Sequence, residues 1–261
     1  MKYALLADIH ANLSALRAVL KDLAEEQCTH AACLGDIVGY NWEPKECLDI
    51  IREMEIPCVK GNHDAYCSEE IFPDEFNPQA LERVEWTRGQ LTAEDRAWLQ
   101  GLQYVEPVAG FTIVHASLDA PERWGYVFDR IAAAAHFTHQ RMPVCFFGHT
   151  HVPVAFTREK GLLRAPVVRG GTFSKFKVER GRRYFVNCGS IGQPRDGDHR
   201  AAYVTYDLDE RMIELRRVAF EPSADSAGSA PVPVAPNRPR PIVARNAQST
   251  STPNHDDKDL D

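Results

Sequence analysis

The stretch KYALLADIH (residues 2–10) contains the pattern on which the fold of this chain depends. Its apolar residues fit one buried strand, and this strand runs directly into two polar residues, Asp8 and His10. Residues 13–25 follow with leucines at helical spacing, and THAACLGD (residues 29–36) is a second apolar run that ends in a carboxylate. A strand, a helix and a second strand in this order predict parallel strands joined by a right-handed crossover.

The pattern of an apolar strand that ends in Asp, Asn or His occurs five times in the first 151 residues. It returns in IPCVKGNHD (residues 56–64), FTIVHAS (residues 111–117) and PVCFFGHTH (residues 143–151). Ligand sites in open α/β sheets lie at the carboxyl ends of the strands. We therefore expect five strands of one sheet to bring nine side chains into one crevice: Asp8, His10, Asp36, Asn62, His63, Asp64, His115, His149 and His151.

These residue types are ligands for borderline divalent metals. Imidazole suits Zn, Fe, Ni and Mn, and carboxylates bind the same ions as terminal or bridging ligands. Two Asp, one Asn and four His are too many for one ion and the right number for two ions that share a carboxylate. Asp8 and His10 are two residues apart, as are His149 and His151, and such pairs point to the same side of an extended chain. The adjacent Asn and His of the Gly-Asn-His-Asp motif should diverge, so that one can bind metal while the other faces a substrate.

Each feature also has an ordinary structural interpretation. A single histidine after a strand is usually structural, Gly-Asp is often only a turn, and Gly-Asn-His-Asp could be a turn with a helix cap. The interpretation as a site depends on all five features occurring together at corresponding strand ends. A glycine precedes three of the clusters, at positions 35, 61 and 148, where it would permit a close approach of the backbone.

The rest of the chain divides into three parts. Helical spacing occurs in residues 44–54, 78–101 (with a break near 90–92) and 129–140. After His151 the sequence changes to short strands with turns between them, which predicts a mostly antiparallel sheet packed on the mostly parallel one, with helices outside. Residues 222–261 contain seven of the 17 prolines and no aromatic residue, a composition that cannot bury enough apolar surface to order itself. The predicted organisation is one domain over residues 1–221 and a disordered tail over residues 222–261.

Size and charge exclude several classes of protein. The chain has 261 residues, 44% of them hydrophobic, which suffices for a sizeable core. Its formal net charge of −7 argues against a general nucleic-acid or membrane binder, and no run approaches the ~18 apolar residues of a membrane-spanning helix. No signal-peptide pattern and no Cys-x-x-Cys pair are present, so we expect a cytoplasmic protein whose seven cysteines are mostly buried free thiols.

One segment departs from the acidic balance. Residues 158–183 contain nine Lys or Arg and two Glu. Such a segment could guide a polyanionic substrate, or it could be the solvated face of a β-hairpin.

The five motifs, in this order, resemble the signature blocks of calcineurin-like metallophosphoesterases. The matching residues are Asp8-x-His10, Gly35-Asp36, Gly61-Asn62-His63-Asp64, His115 and Gly148-His149-x-His151, and the resemblance covers about residues 1–220. The segment NCGSIGQPRDGDHRAAY (residues 187–203) is similar to a block of the small bacterial and archaeal phosphodiesterase-like branch, although Cys188 stands where that block usually has proline. The resemblance implies an α/β fold, a four-layer αββα sandwich of two mixed β-sheets flanked by helices.

The resemblance also implies a role for each residue of the motifs. Asp8, His10 and His151 would bind the first metal, while Asn62, His115 and His149 would bind the second and Asp36 would bridge the two. His63 would act as general acid on the leaving oxygen or would stabilise the transition state, with Asp64 orienting it. The two divalent ions (Mn, Fe, Ni or Zn) would lower the pKa of a bridging water from ~15.7 towards ~7, so that hydroxide attacks phosphorus in line.

The residues after Asp36 bear on the choice of substrate. Serine/threonine phosphoprotein phosphatases carry Gly-Asp-x-Val-Asp-Arg-Gly, whose Arg holds the phosphate, and Tyr40 occupies that position here. We therefore expect phosphodiesters or small phosphorylated molecules, including nucleotides or oligonucleotides, as substrates, without a stable nucleic-acid complex. Tyr40, Asn41 and Trp42 could line the substrate cleft, or Trp42 could pack on the domain in a helix-capping loop.

Arg195, in the Gly-Gln-Pro-Arg loop, is another possible phosphate contact. Its alternative role is an ion pair with Asp196 or Asp198 within a turn.

Two other functions stay open. The chain could be a phosphoprotein phosphatase, or a non-catalytic protein-binding scaffold of the same fold, because some relatives have lost catalytic residues. The complete set of expected ligands, together with His63, favours an enzyme.

Overall fold

The computed structural model describes residues 1–68, 78–160 and 166–221 of the chain. The predicted tail over residues 222–261 lies outside the described residues, so the domain boundary at residue 221 stays a prediction. Among the helices of the described residues, none has the length and apolar character needed to span a membrane.

The first sheet has five strands. In spatial order they are β2 (His30–Cys33), β1 (Lys2–Leu6), β10 (Ala201–Asp207), β11 (Met212–Val218) and β8 (Lys175–Lys177). β1 and β2 are parallel, and the other neighbours are antiparallel. β1 lies between two neighbours and is buried from Tyr3 to Leu6, which is why it is apolar at consecutive positions instead of alternating.

The second sheet has six strands. In spatial order they are β3 (Val105–Val108), β4 (Phe111–Val114), β5 (Val144–Phe147), β9 (Arg183–Asn187), β6 (Val154–Lys160) and β7 (Pro166–Gly171). β4, β5 and β9 are parallel to one another, and the remaining pairs are antiparallel. Both sheets are therefore mixed.

Six α-helices connect the strands of the described residues. They are α1 (Leu13–Glu25), α2 (Pro44–Glu53), α3 (Asn62–Ser68), α4 (Pro78–Gln90), α5 (Ala93–Gly101) and α6 (Arg130–His139). Polar caps fix where three of them begin: the side chains of Asn12, Thr92 and Asp129 accept backbone N–H groups of the first turns of α1, α5 and α6. The predicted break near residues 90–92 is confirmed, because Thr92 and Asp95 form a capping box there.

The core consists of three clusters of buried residues, one between the two sheets and one on the outer face of each sheet. The two sheets pack face to face, with Leu5 and Val204 of the first sheet in one cluster with Phe111 and Phe146 of the second. Helices α1 and α2 cover the outer face of the first sheet, and α6 covers the second through Phe137. The expected four-layer fold of two mixed sheets flanked by helices is confirmed.

The prediction that one parallel sheet supplies all five motif strands is wrong. β1 and β2 belong to the first sheet, whereas β4 and β5 belong to the second. The expected third strand does not form: Cys58 and Val59 make only single bridges, and Asn62 begins α3. The reason is a long-range pairing, because β10 occupies the edge of β1 with Lys2 opposite Asp207, and a local pattern cannot reveal this.

The predicted division into a mostly parallel and a mostly antiparallel sheet is also wrong, because β9 joins β5 in parallel. β3 and β8 were not predicted, since β3 contains Pro107 and β8 has only three residues. The cysteines agree with the sequence: all seven are free thiols, and all except Cys28 are buried.

Candidate metal centre

Two groups of potential metal ligands share one carboxylate. Asp8, His10, Asp36 and His151 form the first group, and Asp36, His115 and His149 form the second. Within each group the ligand atoms all lie within 4.8 Å of one another. Asn62 joins the second group, because its Oδ1 lies 3.1 Å from Nε2 of His115. The structure thus brings together all seven side chains that the sequence selected as ligands.

The backbone at these residues is unusual. Five of the seven have positive φ angles between 49° and 65°, namely Asp8, His10, Asp36, His149 and His151. A left-handed conformation in a residue other than glycine costs of order 1–3 kcal/mol and persists only where the surroundings fix it. The strain is concentrated in the loops that present the ligands, as is typical of functional sites.

Backbone hydrogen bonds fix the first two ligand loops to each other. The N–H of Asp8 donates to the carbonyl of Gly35 (3.1 Å), and the N–H of His10 donates to the carbonyl of Asp36 (2.9 Å). The Asp8 carboxylate in turn accepts the N–H of His149 at 3.0 Å. Because Asp8 follows the first sheet and His149 follows the second, this contact joins the two sheets at the site.

The orientation of three imidazoles leaves Nε2 directed at the centre. Nδ1 of His10, His115 and His151 lies 3.3, 2.8 and 2.7 Å from the carbonyl oxygens of Val38, Leu34 and Gln193, respectively. When the protonated Nδ1 donates to a carbonyl, Nε2 is unprotonated and its lone pair can bind a metal, which is the usual arrangement of a histidine ligand.

Two observations indicate that these nitrogens fit a cation. Nε2 of His10 and Nε2 of His151 are 3.0 Å apart, so that two lone pairs would repel each other unless a proton or a cation lies between them. Nε2 of His149 is buried without a hydrogen-bond partner among the described residues. The set of imidazoles and carboxylates is the chemistry that Zn, Mn, Fe and Ni accept.

The protonation states depend on burial and on Asp36. Burial raises the pKa of Asp36, but the charge of His115 and neighbouring imidazoles outweighs this and holds it well below its usual value. Burial would lower the pKa of His115, but the Asp36 carboxylate 3.3 Å away raises it to about 10. Burial lowers the pKa of His10 and of His149 well below the usual value, so both are neutral. A cation bound to Asp36 would displace the His115 proton.

His63 lies beside the two groups without entering either. Its backbone N–H donates to Oδ1 of Asp36 (2.8 Å), and its ring packs against those of His10 (4.8 Å) and Tyr40 (4.4 Å). Nδ1 of His63 is buried and has no hydrogen-bond partner within the described ranges. Burial is the main reason that the pKa of His63 is lowered to about 4, and the charge of Arg195 contributes to the lowering.

The expectation that Asp64 orients His63 does not match the observed contacts. The Asp64 carboxylate accepts four backbone N–H groups, from Asp36 (2.7 Å), Ile37 (2.9 Å), Val38 (3.3 Å) and Gly61 (3.0 Å). These donors surround both oxygens because Asp64 lies in the first turn of α3, directly below the loop of Asp36. Asp64 therefore fixes the backbone that carries Asp36.

Two glycines allow the carboxylates to reach their positions. A Cβ atom at Gly61 would overlap the Asp36 carboxylate, and one at Gly148 would overlap the Asp8 carboxylate. The close backbone approach that the sequence predicted at these positions is confirmed.

The predicted substrate residues have mixed surroundings. Tyr40 contacts the ring of His10 at 4.7 Å, and the Arg195 guanidinium donates to the Tyr40 hydroxyl at 3.4 Å. The side chain of Asn41 donates to the carbonyl of His10 (2.7 Å), so its amide nitrogen supports the ligand loop. Trp42 packs on Trp86 of α4 (5.0 Å) beneath the guanidinium of Arg83, which confirms the packing alternative for Trp42.

The alternative role of Arg195, an ion pair within its own turn, is wrong. Asp196 pairs with Arg217 and Asp198 pairs with Arg200. Arg195 instead donates to the Gln193 side chain (2.8 Å) and to Tyr40.

The last residue of β9 and the segment that follows it support the site in a way that the sequence patterns did not predict. The side chain of Asn187 donates to the carbonyl of Gly148 (2.6 Å) and to the hydroxyl of Thr150 (3.0 Å). The Ser190 hydroxyl donates to the carbonyl of Asp8 (2.8 Å). The similarity of residues 187–203 to a known block was the signal that could have identified these residues.

A pair of exposed aromatic rings beside the ligands was also missed. Tyr126 stacks on the ring of His149, with centroids 4.1 Å apart, and Phe128 stacks on Tyr126 at 5.3 Å with an interplanar angle of 7°. The two side chains are 39% and 52% exposed, although large apolar residues of the described chain are mostly buried. We call this pair the aromatic shelf. No sequence motif marks this pair, because the rings lie on an irregular loop.

Comparison with known families agrees with this geometry. Residues 1–211 match the model of the calcineurin-like phosphoesterase superfamily domain. An uncharacterised protein, MJ0912, from Methanocaldococcus jannaschii is 33% identical over 223 residues, which cover 84% of this chain and 87% of that protein.

Solved structures with the same fold include two from other organisms. A metallophosphoesterase from Sphaerobacter thermophilus is 36% identical, with a TM-score of 0.72, covering 85% of this chain and 90% of that one. The hypothetical protein PH1004 from Pyrococcus horikoshii is 19% identical, with a TM-score of 0.65, covering 84% and 88% of the two chains. At that lower identity the second similarity establishes the fold alone.

Proposed function

The chain belongs to the calcineurin-like phosphoesterase superfamily, and from this premise we propose that it hydrolyses phosphodiesters or small phosphorylated molecules at a binuclear divalent-metal centre. The observation that carries the proposal is the position of Asp36, whose carboxylate belongs to both groups of buried ligands. A carboxylate shared in this way is suited to bridge two cations, as in many phosphatases and nucleases.

We assign the ligands by proximity. Asp8, His10 and His151 would hold the first cation, while Asn62, His115 and His149 would hold the second, with Asp36 common to both. When bound, the cations would supply positive charge for phosphoryl oxygens and would lower the pKa of a water ligand towards neutrality. The mixed nitrogen and oxygen set accepts Mn, Fe, Ni or Zn, and metal availability decides among them.

His63 is the residue that we assign to the leaving group. Its ring packs against His10 of the first ligand group, and its Nδ1 has no hydrogen-bond partner among the described residues, so this nitrogen is available to a substrate oxygen. Since burial keeps its pKa at about 4, its imidazole is neutral at physiological pH. Of the two family roles, we therefore favour hydrogen-bond stabilisation of the leaving oxygen over donation from a preformed imidazolium.

Arg195 is the residue that we assign to the phosphate. In phosphoprotein phosphatases the phosphate-holding Arg lies four residues after the motif Asp, and Tyr40 occupies this position here. Arg195 comes from a different segment, and its guanidinium lies 5.8 Å from the ring of Tyr40. A planar guanidinium pairs well with phosphate oxygens. Asn41 remains a predicted substrate contact of lower rank, because its amide nitrogen is bound to the backbone of His10.

The aromatic shelf favours a substrate with a flat leaving group. A cavity of about 380 Å³ continues from Phe128 along Thr150, Val152 and Pro153, and it lies next to the loop of His149 and His151. A nucleobase or another aromatic ring could stack on the shelf while its phosphate lies at the centre. This feature supports a diester or a nucleotide over a phosphopeptide.

A metal-reconstituted activity panel tests the proposal. It compares a phosphodiester, a phosphomonoester, a cyclic nucleotide and a phosphopeptide with Mn, Fe, Ni or Zn, and metal content is measured in parallel. Asp36→Asn should lose metal at both positions together with all hydrolysis, whereas the matched control Asp209→Asn, at a side chain that is 78% exposed, should behave as the wild type.

Three outcomes would contradict parts of the proposal. Full occupancy by two metals in Asp36→Asn would refute the bridging assignment. Preference for the phosphopeptide would indicate a phosphoprotein phosphatase. Absence of hydrolysis with every metal would favour the non-catalytic scaffold.

A further inference from the structure

A second cavity, of about 390 Å³, lies at the end of the sandwich opposite the metal centre. The ligand loops follow the carboxyl ends of β1, β4 and β5, whereas this cavity is lined by Pro143 before β5, by Arg183 at the start of β9 and by Tyr206 near the end of β10, which is antiparallel to β1. The four residues of β5 separate the two sites by about 13 Å at ~3.3 Å per residue. The cavity has the size of a small-molecule site, for which ~300–1,000 Å³ is usual.

The lining is strongly basic. Five arginines surround the cavity: Arg141, Arg180, Arg182, Arg183 and Arg211. The one acidic residue in the lining is Glu179, which leaves a net of four positive charges in a protein whose formal net charge is −7. These arginines come from three separate segments, so the cavity is not simply one face of the basic stretch over residues 158–183.

Several of these guanidinium groups are uncommitted. Arg182 pairs with Glu159 (3.0 Å) and with Glu179 (2.7 Å). Arg141, Arg180 and Arg211, in contrast, have no side-chain hydrogen bond or ion pair within residues 1–68, 78–160 and 166–221. Like charges that converge without counterions favour the binding of an anion.

Tyr206 adds a hydroxyl donor to the lining of the cavity. Its side chain is almost buried, at 5% exposure, with its ring against Phe111 (5.8 Å) and Phe146 (5.6 Å). Its hydroxyl has no hydrogen-bond partner in the described part of the chain, and the residue lines the cavity. The hydroxyl is not one of the buried side-chain atoms that lack a partner, so it is accessible from the cavity and can donate to a ligand oxygen there.

We propose that this cavity binds a small ligand with a di- or triphosphate group, whose oxygens pair with Arg141, Arg180 and Arg211 and accept the Tyr206 hydroxyl. Guanidinium groups from separate segments can bind different phosphates, each through two parallel hydrogen bonds. A concave cavity of this volume fits a compact polyanion better than a nucleic-acid strand, which requires an extended basic surface. The proposal concerns a site separate from the metal centre and does not depend on the reaction catalysed there.

Isothermal titration of the metal-loaded full chain with inorganic tripolyphosphate tests the affinity. The variant Arg180→Gln/Arg211→Gln removes two contacts worth about tenfold each, so the affinity of this site should fall about 100-fold. The control Arg17→Gln/Lys21→Gln makes the same change of charge on exposed residues of α1, and its affinity should stay within about twofold of the wild type. Tyr206→Phe, which removes only the hydroxyl, should lose about tenfold.

Hydrogen–deuterium exchange separates this site from binding at the metal centre. Tripolyphosphate should slow exchange in residues 178–183 and 206–211 of the wild type and not in the double variant, while metal content and the free energy of unfolding stay the same in both. Absence of that protection would overturn the proposal, as would equal losses of affinity in the test and control variants. Tighter, arginine-dependent binding of a single-stranded oligonucleotide would assign the surface to nucleic acid instead.

Discussion

Replacement of Asp64 by Asn tests which group this buried carboxylate serves. One oxygen accepts the N–H groups of Asp36 and Gly61, and the other accepts those of Ile37 and Val38. An amide keeps one acceptor oxygen and replaces the other with an NH₂ donor, so two buried N–H groups lose their partner whichever way the amide turns. At about 1–3 kcal/mol for each unsatisfied group, the free energy of unfolding should fall by about 2–6 kcal/mol, a large part of the ~5–15 kcal/mol of a typical domain.

The assay measures three quantities on the same samples: urea-induced unfolding, metal content and turnover. Asp64→Asn should lose stability and metal together, because the loop that carries Asp36 loosens. His63→Ala should keep both and should lose about 10²–10³-fold in turnover, the usual cost of removing one hydrogen-bond donor to a developing negative charge. If Asp64 served only to orient His63, the two variants would behave alike. Full metal content and a change in stability below about 0.5 kcal/mol in Asp64→Asn would therefore refute the structural role.

Three further predictions follow from particular contacts. Gly61→Ala should lower the metal content, measured by atomic absorption spectroscopy, because its Cβ would overlap the Asp36 carboxylate. The control Gly89→Ala, which has open space around it in α4, should keep the full metal content. Phe128→Ala should raise KM about 2- to 10-fold for a phosphodiester with an aromatic leaving group and should leave KM for a dialkyl phosphodiester unchanged. An equal rise in KM for both substrates would contradict stacking on Phe128. Burial lowers the pKa of His136 to about 3 from 6.5, so the stability that its neutral form contributes is complete above pH 6.5 and is lost as the pH falls towards 3. Between pH 6.5 and 4, the free energy of unfolding should therefore fall less steeply in His136→Phe than in the wild type. The difference between the two slopes should be about 1.4 kcal/mol per pH unit, and equal slopes in the two proteins would contradict this explanation.

Local patterns in the sequence were sufficient for most elements and insufficient for their pairing. The leucine spacing of residues 13–25 and the break near residues 90–92 were visible because helix signals lie within a few residues of each other. The insertion of β10 beside β1 was not visible, because Lys2 and Asp207 are 205 residues apart and both strands are apolar on both faces. Register between distant strands depends on packing that no window of sequence contains.

The candidate site was predictable to a greater degree than the sheets that carry it. The motifs contain the ligand types and the spacing of the side chains. Asp8 and His10 lie in one short loop, so their relative position does not depend on which strand pairs with β1. What the motifs could not indicate is which backbone each polar group supports. Asp64 looked like a partner of the adjacent His63, whereas the turn of α3 points its carboxylate at the N–H groups of residues 36–38.

The segment Asn187–Gln193 explains how ligands from two sheets can form one site. Asn187 ends β9 of the second sheet and holds Gly148, while Ser190 reaches the carbonyl of Asp8 at the end of β1. Between them, the N–H of Cys188 donates to Phe147 (2.9 Å), a bond that the proline of the related block could not make, so the cysteine extends the ladder between β5 and β9 by one residue. Since neither ligand group is complete until both sheets have packed, metal affinity should be linked to the free energy of unfolding of the whole sandwich.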